Sequence, residues 1–219
     1  MMLQFRNRTE AGDMLARKLT KYAGHPGGLV LGLPRGGVPV GHAVAQRLKL
    51  PLDVFIVRKL GVPGQEELAM GAIASGGVCA MNEQIVAALD LPDAAIAAVR
   101  AREQLELERR ERQYRSGRPE LLVRGRTVIL VDDGIATGAT MRAAALALRE
   151  RKVGRIVVAT PVASDTAGRD LGDAADEFVA VLQPEYFQSV GQWYSDFTQV
   201  TDDEVAELLA ASPPGSADQ

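Results

Sequence analysis

Cysteine and histidine are scarce in this 219-residue sequence, and their scarcity argues against several kinds of site. The single cysteine, Cys79, cannot form a disulfide within the chain, so we expect a fold without disulfides and a cytoplasmic location. No histidine lies near Cys79 in sequence, which favours a packing role for its thiol over a nucleophilic one. With only His25 and His42 present, a metal site of the His/Cys type is not expected.

Long hydrophobic runs are missing as well. The amino terminus lacks the roughly 7 to 15 residue apolar stretch of a signal peptide, and no run reaches the about 20 apolar residues of a membrane-spanning helix. The net charge of −3 gives no overall electrostatic reason to bind nucleic acid or an anionic membrane. We therefore expect neither a membrane nor a nucleic acid as a partner.

What is present is a series of short apolar runs that alternate with segments of helical pattern. Buried parallel strands lack polar alternation because helices cover both faces of their sheet. The pattern predicts an α/β fold, with a doubly wound, mainly parallel sheet of about five strands and helices on both faces. The predicted strands are Leu29 to Leu33, Val54 to Val57, Thr127 to Val131, Ile156 to Thr160 and Phe178 to Leu182, and the predicted helices are about 9–22, 38–48, 139–151 and 165–174.

The segment at about 61–118 interrupts this alternation. It begins with glycine-rich sequence at 61–64, continues through a predicted hairpin at 71–81, and becomes helical from Pro92 to Tyr114. Its glutamates and arginines stand at i,i+4 spacing, which is typical of a solvated helix face. Its arginines offer the alternative of a patch that binds an anion or RNA. These arginines are Arg109, Arg110, Arg112, Arg115 and Arg118.

The length favours one domain. We predict a single domain over 1–211, with its core at about 25–60 and 125–183. The helical insertion at about 61–118 lies between these two parts of the core. The tail at 212–219 contains Pro213, Pro214 and Gly215 and is predicted to be disordered.

The most informative stretch runs from Val131 to Thr140, between a predicted strand and a predicted helix. Backbone N–H groups at the start of such a helix favour a phosphate, and Gly138 allows a ligand to approach the backbone closely. The adjacent carboxylates of Asp132 and Asp133 would repel a phosphate placed on them, so they should face hydroxyls or a hydrated cation. A phosphorylated sugar satisfies both halves of the stretch. The alternative is that the two acids merely cap the helix, although one cap needs only one acceptor.

The stretch VILVDDGIATGAT, Val128 to Thr140, resembles the phosphoribosyl pyrophosphate motif of type I phosphoribosyltransferases. The resemblance implies that Asp132 and Asp133 hold the ribose 2- and 3-hydroxyls. It also implies that the residues after them bind the 5-phosphate. These residues are Gly134, Ile135, Ala136, Thr137, Gly138, Ala139 and Thr140.

Two further segments agree with this resemblance. Leu31 to Gly37 resembles the family's pyrophosphate loop, which often holds a cis peptide, and Arg35, Gly36 and Gly37 would face the leaving group. We predict that Arg58 and Lys59 end the next strand at the same edge of the sheet, where their charges would offset that of pyrophosphate.

Two mobile or accessory parts of the family also have counterparts here. The segment after Lys59 takes the place of the flexible loop that closes over the substrate. A small hood subdomain is expected from the N-terminal segment and about 184–211. Purine-using members stack an aromatic ring on the base, for which Trp193, Tyr194 and Phe187 are the candidates, with Trp193 assigned to the substrate site.

The implied reaction transfers the phosphoribosyl group to a ring nitrogen of a nucleobase, with a purine favoured, and releases pyrophosphate. Mg²⁺ is the expected cofactor, and Asp132 and Asp133 would reach it through ribose hydroxyls or water. Asp132, Asp133, Arg35 and Lys59 are the predicted catalytic residues.

The choice of acceptor stays open in the sequence. Members specific for 6-oxopurines usually carry an aspartate at the position of Ala136. Transfer to a non-base acceptor and a regulatory sensor of phosphoribosyl pyrophosphate that binds nucleic acid are the alternatives. The family also suggests a homo-oligomer.

Overall fold

The computed structural model describes residues 4–212, apart from the side chain of Glu67. The first half of the chain forms α1 (Arg8–Lys18), β1 (Gly28–Gly32), α2 (Gly37–Leu48), β2 (Leu52–Val54), β3 (Val57–Val62), β4 (Gln65–Ala74), β5 (Val78–Met81), α3 (Glu83–Ala88) and α4 (Asp93–Arg115). The second half forms β6 (Thr127–Val131), α5 (Ala139–Glu150), β7 (Arg155–Val162), α6 (Ala167–Leu171), β8 (Glu177–Leu182) and α7 (Asp202–Ala210). Short 3-10 turns follow α1 and α6, at Thr20–Tyr22 and Gly172–Ala174, so the predicted helices 9–22 and 165–174 are shorter than expected.

The main sheet confirms the predicted fold class. Its strand order is β2-β1-β6-β7-β8 and every neighbouring pair is parallel. The strands are buried because apolar clusters cover both faces, one formed with α1, α2, α4 and α7, and the other with α5 and α6. The carboxyl ends of β1 and β6, paired from Gly28↔Thr127 to Gly32↔Val131, lie side by side.

The predicted strand Val54 to Val57 is wrong in its bounds, because the chain changes sheets there. β2 ends at Val54, and the Phe55 N–H still donates to the Gly32 carbonyl of the main sheet at 3.1 Å. The next N–H, of Ile56, donates instead to Ser75 Oγ at 3.1 Å. From Val57 onward the chain belongs to a separate antiparallel sheet with the order β3-β4-β5.

The N-terminal segment pairs with the segment at 193–196. Phe5 N–H donates to the Trp193 carbonyl at 2.9 Å, and Ser195 N–H donates to the Phe5 carbonyl at 2.8 Å. Phe5, Trp193 and Tyr194 form a small apolar cluster against the end of β7. The small antiparallel sheet therefore comes from 57–81, whereas the terminal segments form a layer beside the carboxyl edge of the main sheet.

The predicted disordered tail falls largely on 213–219, outside the described residues. Ser212 is described and buried, and its Oγ donates to the Leu208 carbonyl at 2.8 Å. Within the described residues, no helix is long and apolar enough to cross a membrane.

Candidate functional site

The loop from Asp132 to Thr140 leaves the carboxyl end of β6 and leads into α5. It is fixed in the middle, where Ile135 N–H donates to the Val162 carbonyl at 2.9 Å and Ser164 N–H donates to the Ile135 carbonyl at 2.9 Å. Gly138 has a φ of 72°, in the left-handed region that favours glycine, and directly precedes α5. Thr137, Ala139 and Thr140 are exposed around a cavity of about 190 Å³ at the start of the helix. This arrangement suits an anion at the helix N-terminus.

The acidic pair does not cap α5, so the capping alternative is wrong. Gly138 is the N-cap residue and no side chain caps the helix. Asp132 Oδ1 instead accepts the Asp133 N–H at 2.9 Å, and Asp133 Oδ2 accepts from Arg8 Nε at 2.8 Å. Burial raises the pKa of Asp132 well above its usual value, and the charge of Asp133 raises it further. Burial also raises the pKa of Asp133, although the adjacent Arg8 opposes this shift.

The loop after β1 lies directly against the acidic pair. Leu33 N–H donates to the Val131 carbonyl at 2.9 Å, and the peptide bond between Pro34 and Arg35 is cis. A Cβ added at Gly36 would lie far inside van der Waals contact with the carboxylate of Asp133, and one at Gly37 would lie 2.5 Å from the Val131 carbonyl oxygen. The two glycines are therefore what lets the loops meet.

Arg35 projects from this loop toward the start of α7. Its Nη1 lies 3.9 Å from Asp202 Oδ1, and both side chains are about one third exposed. Tyr114 of α4 donates its hydroxyl to Asp202, which lowers the pKa of that carboxyl, while burial raises the pKa of Tyr114 to about 12. The inserted helix thus contacts the predicted pyrophosphate loop through Asp202.

Arg58 and Lys59 do not end a strand of the main sheet, contrary to the prediction. They are the second and third residues of β3, because the chain has already moved to the small sheet. Both Nε and Nη2 of Arg58 donate to Glu103 Oε2 of α4, at 2.9 and 2.6 Å. The register places Lys59 opposite Ala72, on the face of the small sheet opposite to that of Arg58. The two cations therefore do not converge on one ligand.

Lys59 shares its face with Ala72 and Ala80, which line a cavity of about 580 Å³ between the small sheet and α5. Thr137 and Ala139 belong to the loop from Asp132 to Thr140, here called the acidic loop, and line the same cavity. Lys59 is therefore placed on the side of the predicted phosphate loop, away from the Arg58–Glu103 pair.

The close ion pair between Arg58 and Glu103 indicates that Arg58 stabilises the packing of α4 against β3, which substitution can test. The Glu103 side chain is 10% exposed, so Glu103→Gln leaves Arg58 without its counter-charge against α4. Because Arg58 is itself 30% exposed, we expect a moderate loss of about 1 to 2 kcal/mol in the free energy of unfolding. Urea denaturation measures it, and Glu108→Gln, which removes an exposed i,i+4 partner on the same helix, should change stability by less than about 0.5 kcal/mol. Equal losses in both variants would contradict the structural role.

The arginines of the insertion are engaged with partners of their own chain. Arg109 and Arg110 donate to Glu106, whose pKa their hydrogen bonds lower to about 2. Arg115 Nε donates to the buried Asp53 at 3.0 Å, and Arg118 Nη2 donates to the Leu52 carbonyl at 2.7 Å. Glu103, Leu107 and Tyr114 are buried, so α4 is not solvated on all sides. This pairing favours the structural interpretation of the arginines over an RNA-binding patch.

Trp193 is buried, so its predicted stacking on an acceptor is not supported. The residue is 7% exposed and packs with Phe5 and Val162. Tyr194 is also buried, and its hydroxyl donates to the Asp133 carbonyl at 2.6 Å. Tyr186, which no sequence pattern marks, is 78% exposed in the loop after β8. That loop returns to the site at Val190, which packs against Gly134.

Arg8 is a site residue that sequence patterns did not identify. It is the first residue of α1, 125 positions before its partner Asp133. Its sequence signal is one arginine after the helix cap Asn7, a combination that occurs at the start of many helices. The contact depends on the pairing of the two chain ends, which no local pattern reveals.

Among the described residues, no group of three or more His, Cys, Asp or Glu side chains could hold a metal ion. At the site, the acidic side chains are those of Asp132 and Asp133, next to the loop from Arg35 to Gly37, here called the glycine loop. A hard cation such as Mg²⁺ prefers oxygen ligands and commonly keeps water or ligand phosphate in its coordination sphere. The donor set therefore fits a Mg²⁺ that a phosphorylated ligand brings with it, and not a cation held by protein side chains alone.

The chain is similar to known proteins in sequence and in fold. The family model described as "Phosphoribosyl transferase domain" matches residues 4–191. A Mycobacterium tuberculosis protein named "Putative phosphoribosyl transferase" is 45% identical over 208 residues, which cover 95% of this chain and 47% of the relative. The chain thus spans about half the length of that relative. The crystal structure of TT1426 from Thermus thermophilus is similar, with a TM-score of 0.87 and 42% identity over 95% of this chain and 99% of that one.

Proposed function

Because the chain belongs to the phosphoribosyl transferase family, we propose that it transfers the 5-phosphoribosyl group from phosphoribosyl pyrophosphate to a nitrogen of a nucleobase, with a purine favoured. The observation that carries the proposal is the contact between two loops. The carboxylate of Asp133 lies against Gly36, so the acidic pair and the glycine-containing loop from Arg35 to Gly37 are in contact. A donor with both hydroxyls and a pyrophosphate matches that pairing.

The residues divide the donor between them. Gly134 to Thr140, at the start of α5, would bind the 5-phosphate through the hydroxyls of Thr137 and Thr140 and through backbone N–H groups other than that of Ile135, which donates to Val162. Asp132 and Asp133 would accept hydrogen bonds from the ribose 2- and 3-hydroxyls. The loop from Arg35 to Gly37 would hold the pyrophosphate, with Arg35 supplying positive charge.

The chemistry requires charge neutralisation on the leaving pyrophosphate more than activation of the nucleophile. A Mg²⁺ bound with the donor would supply part of that neutralisation. Arg35 would stabilise the charge that develops as the bond to C1 breaks, and the acidic pair would keep the ribose fixed while the acceptor nitrogen attacks. Since Arg58 is held by Glu103, we assign Arg58 to the anchoring of α4. Lys59 lies on the other face of β3. Its predicted catalytic role would therefore be that of a positive charge on the side of the phosphate loop, Gly134 to Thr140.

The experiment that tests the proposal measures pyrophosphate release. The protein is incubated with Mg²⁺ and phosphoribosyl pyrophosphate, with and without each of a panel of purines, pyrimidines and amine acceptors. We expect acceptor-dependent release with at least one nucleobase, and activity with amines alone would instead support a non-base acceptor. No release with any acceptor, together with no detectable binding of the donor by calorimetry, would refute the proposal.

We propose that Tyr186, the most exposed aromatic side chain among residues 4–212, stacks on the acceptor. A base stacked on an aromatic ring gains about 1 to 3 kcal/mol, and Tyr186 is 78% exposed in the loop that returns to Gly134. We expect Tyr186→Ala to raise the acceptor KM about 5-fold or more and to leave the donor KM within about 2-fold. Tyr186→Phe, which keeps the ring, should retain the wild-type acceptor KM. An unchanged acceptor KM in Tyr186→Ala would remove this residue from the acceptor site.

A further inference from the structure

The side chain of Arg8 is held on three sides. Its Nε donates to Asp133 Oδ2 at 2.8 Å, and its Nη1 donates to the Thr198 carbonyl at 2.8 Å. Its guanidinium carbon lies 4.0 Å from the ring centroid of Phe197, within the range of a cation–π interaction. The side chains of Arg8 and Asp133 are only 11% and 14% exposed. Arg8 is therefore a fixed, partly buried cation and not a mobile surface arginine.

Arg8 also lies where the acidic pair meets the glycine loop. The oxygen that it binds, Asp133 Oδ2, is the one closest to the position of a Cβ at Gly36. Two adjacent carboxylates repel each other when they are partly removed from water. A charge-assisted hydrogen bond from a rigid guanidinium is a strong way to hold one of them in place. Within residues 4–212, it is Arg8 that forms an ion pair with this acidic pair, through Asp133.

The hydrogen bonds leave a defined part of each carboxylate for a ligand. Asp132 uses Oδ1 for the Asp133 N–H, and Asp133 uses Oδ2 for Arg8. Asp132 Oδ2 and Asp133 Oδ1 are the oxygens that these two hydrogen bonds do not use, and the two carboxyl groups also interact with each other. Neighbouring hydroxyls on a ribose present donors in such a pair. The orientation of Asp133, and with it the choice of the outward oxygen, depends on Arg8.

We propose that Arg8 is a positioning residue for the donor: it fixes the carboxylate of Asp133 so that one oxygen of each aspartate faces one ribose hydroxyl. This inference rests on the proposed function. It adds that the N-terminal helix and the segment around Phe197 act on donor binding through one side chain, although neither belongs to the sequence motif.

The test compares Arg8→Gln and Arg8→Lys with a control on the same segment, Arg6→Gln. Arg6 is 79% exposed and pairs with Glu10 away from the acidic pair. Calorimetry with phosphoribosyl pyrophosphate and Mg²⁺ measures the donor Kd, steady-state assays measure the donor and acceptor KM, and thermal melting measures stability. We expect Arg8→Gln to weaken donor binding at least about 10-fold and to leave the acceptor KM within about 3-fold. Arg8→Lys should recover part of the loss, because Lys keeps the charge but cannot also bind Thr198 with a planar fork.

Four results would overturn the inference. A donor Kd unchanged in Arg8→Gln, with a lowered melting temperature, would assign Arg8 a purely structural role. Equal rises in the donor and acceptor KM would do the same, and so would an equal loss of donor binding in Arg6→Gln. If Arg8→Gln does not fold, Arg8→Lys decides, since wild-type donor binding in that variant contradicts a positioning role. Failure of the wild-type protein to bind the donor is a different outcome, because it refutes the proposed function itself.

Discussion

Asp133→Asn is expected to lower kcat/KM for the donor at least about 100-fold, which corresponds to about 2.7 kcal/mol of transition-state stabilisation. Asparagine has nearly the same shape, so Arg8 can still find an oxygen acceptor at this position. What is lost is the negative charge, which strengthens hydrogen bonds from ribose hydroxyls and balances the positive charge that develops on the sugar. Steady-state kinetics with varied donor concentration measures the effect.

The control for this variant is Asp165→Asn. Asp165 is exposed in the loop after β7, at the same edge of the main sheet. Its substitution removes the same negative charge as Asp133→Asn. We expect wild-type kinetics from it, and thermal melting should show that both variants are folded. Wild-type donor kinetics in Asp133→Asn would contradict the ribose assignment, and a comparable loss in Asp165→Asn would point to a general effect of net charge.

The main sheet and the acidic loop could be predicted because their signals are local. A strand, two acids, a glycine and a helix follow one another between Thr127 and Glu150, and backbone geometry alone brings them into one loop. The apolar strands are recognisable for the same reason, since burial on both faces removes polar residues from each run. The loop at Arg35 was recognised by its resemblance to the family's pyrophosphate loop, and the parallel pairing of β1 with β6 places it beside Asp133.

The parts that could not be predicted depend on contacts between distant segments. Arg8 reaches Asp133 across 125 residues because the N-terminal segment pairs with a late segment at Phe5 and Tyr194. The placement of Arg58 was wrong because nothing in the run from Val54 onward marks the residue at which the chain changes sheets. That change depends on Ser75, which takes over the hydrogen bond of Ile56.

The inserted helix α4 shows the same limit in another form. Its glutamates and arginines satisfy the i,i+4 pattern of a solvated helix, and several do pair in that way. The same helix also buries Leu107 and Tyr114 and packs against β3 and α7. The buried Glu103 of α4 forms an ion pair with Arg58, which belongs to β3. Periodicity within α4 could not identify that partner.

Gly36→Ala is expected to be nearly as damaging to donor use as the loss of Asp133, although it removes no functional group. The backbone at Gly36 has φ −60° and ψ −33°, which alanine adopts without strain, so the effect is steric. The added methyl group would collide with the carboxylate of Asp133. That carboxylate must then leave Arg8 or push the loop away from the acidic pair, and a displacement of about 1 Å can cost about 100-fold in rate.

Gly41→Ala provides the matched control, because it adds the same methyl group within α2. A Cβ at Gly41 would lie 3.3 Å from Cδ1 of Leu52, the flexible end of a side chain that can move by a few tenths of an ångström. We expect Gly41→Ala to keep donor kinetics within about 3-fold, and to gain or lose about 1 kcal/mol of stability at most, since alanine favours the helix. Gly36→Ala should instead lower kcat/KM for the donor by about 30-fold or more with a small change in melting temperature. If the two alanine variants have equal donor kinetics, the contact between the glycine loop and the acidic pair is not part of the donor site, and the observation that carries the proposed function is lost.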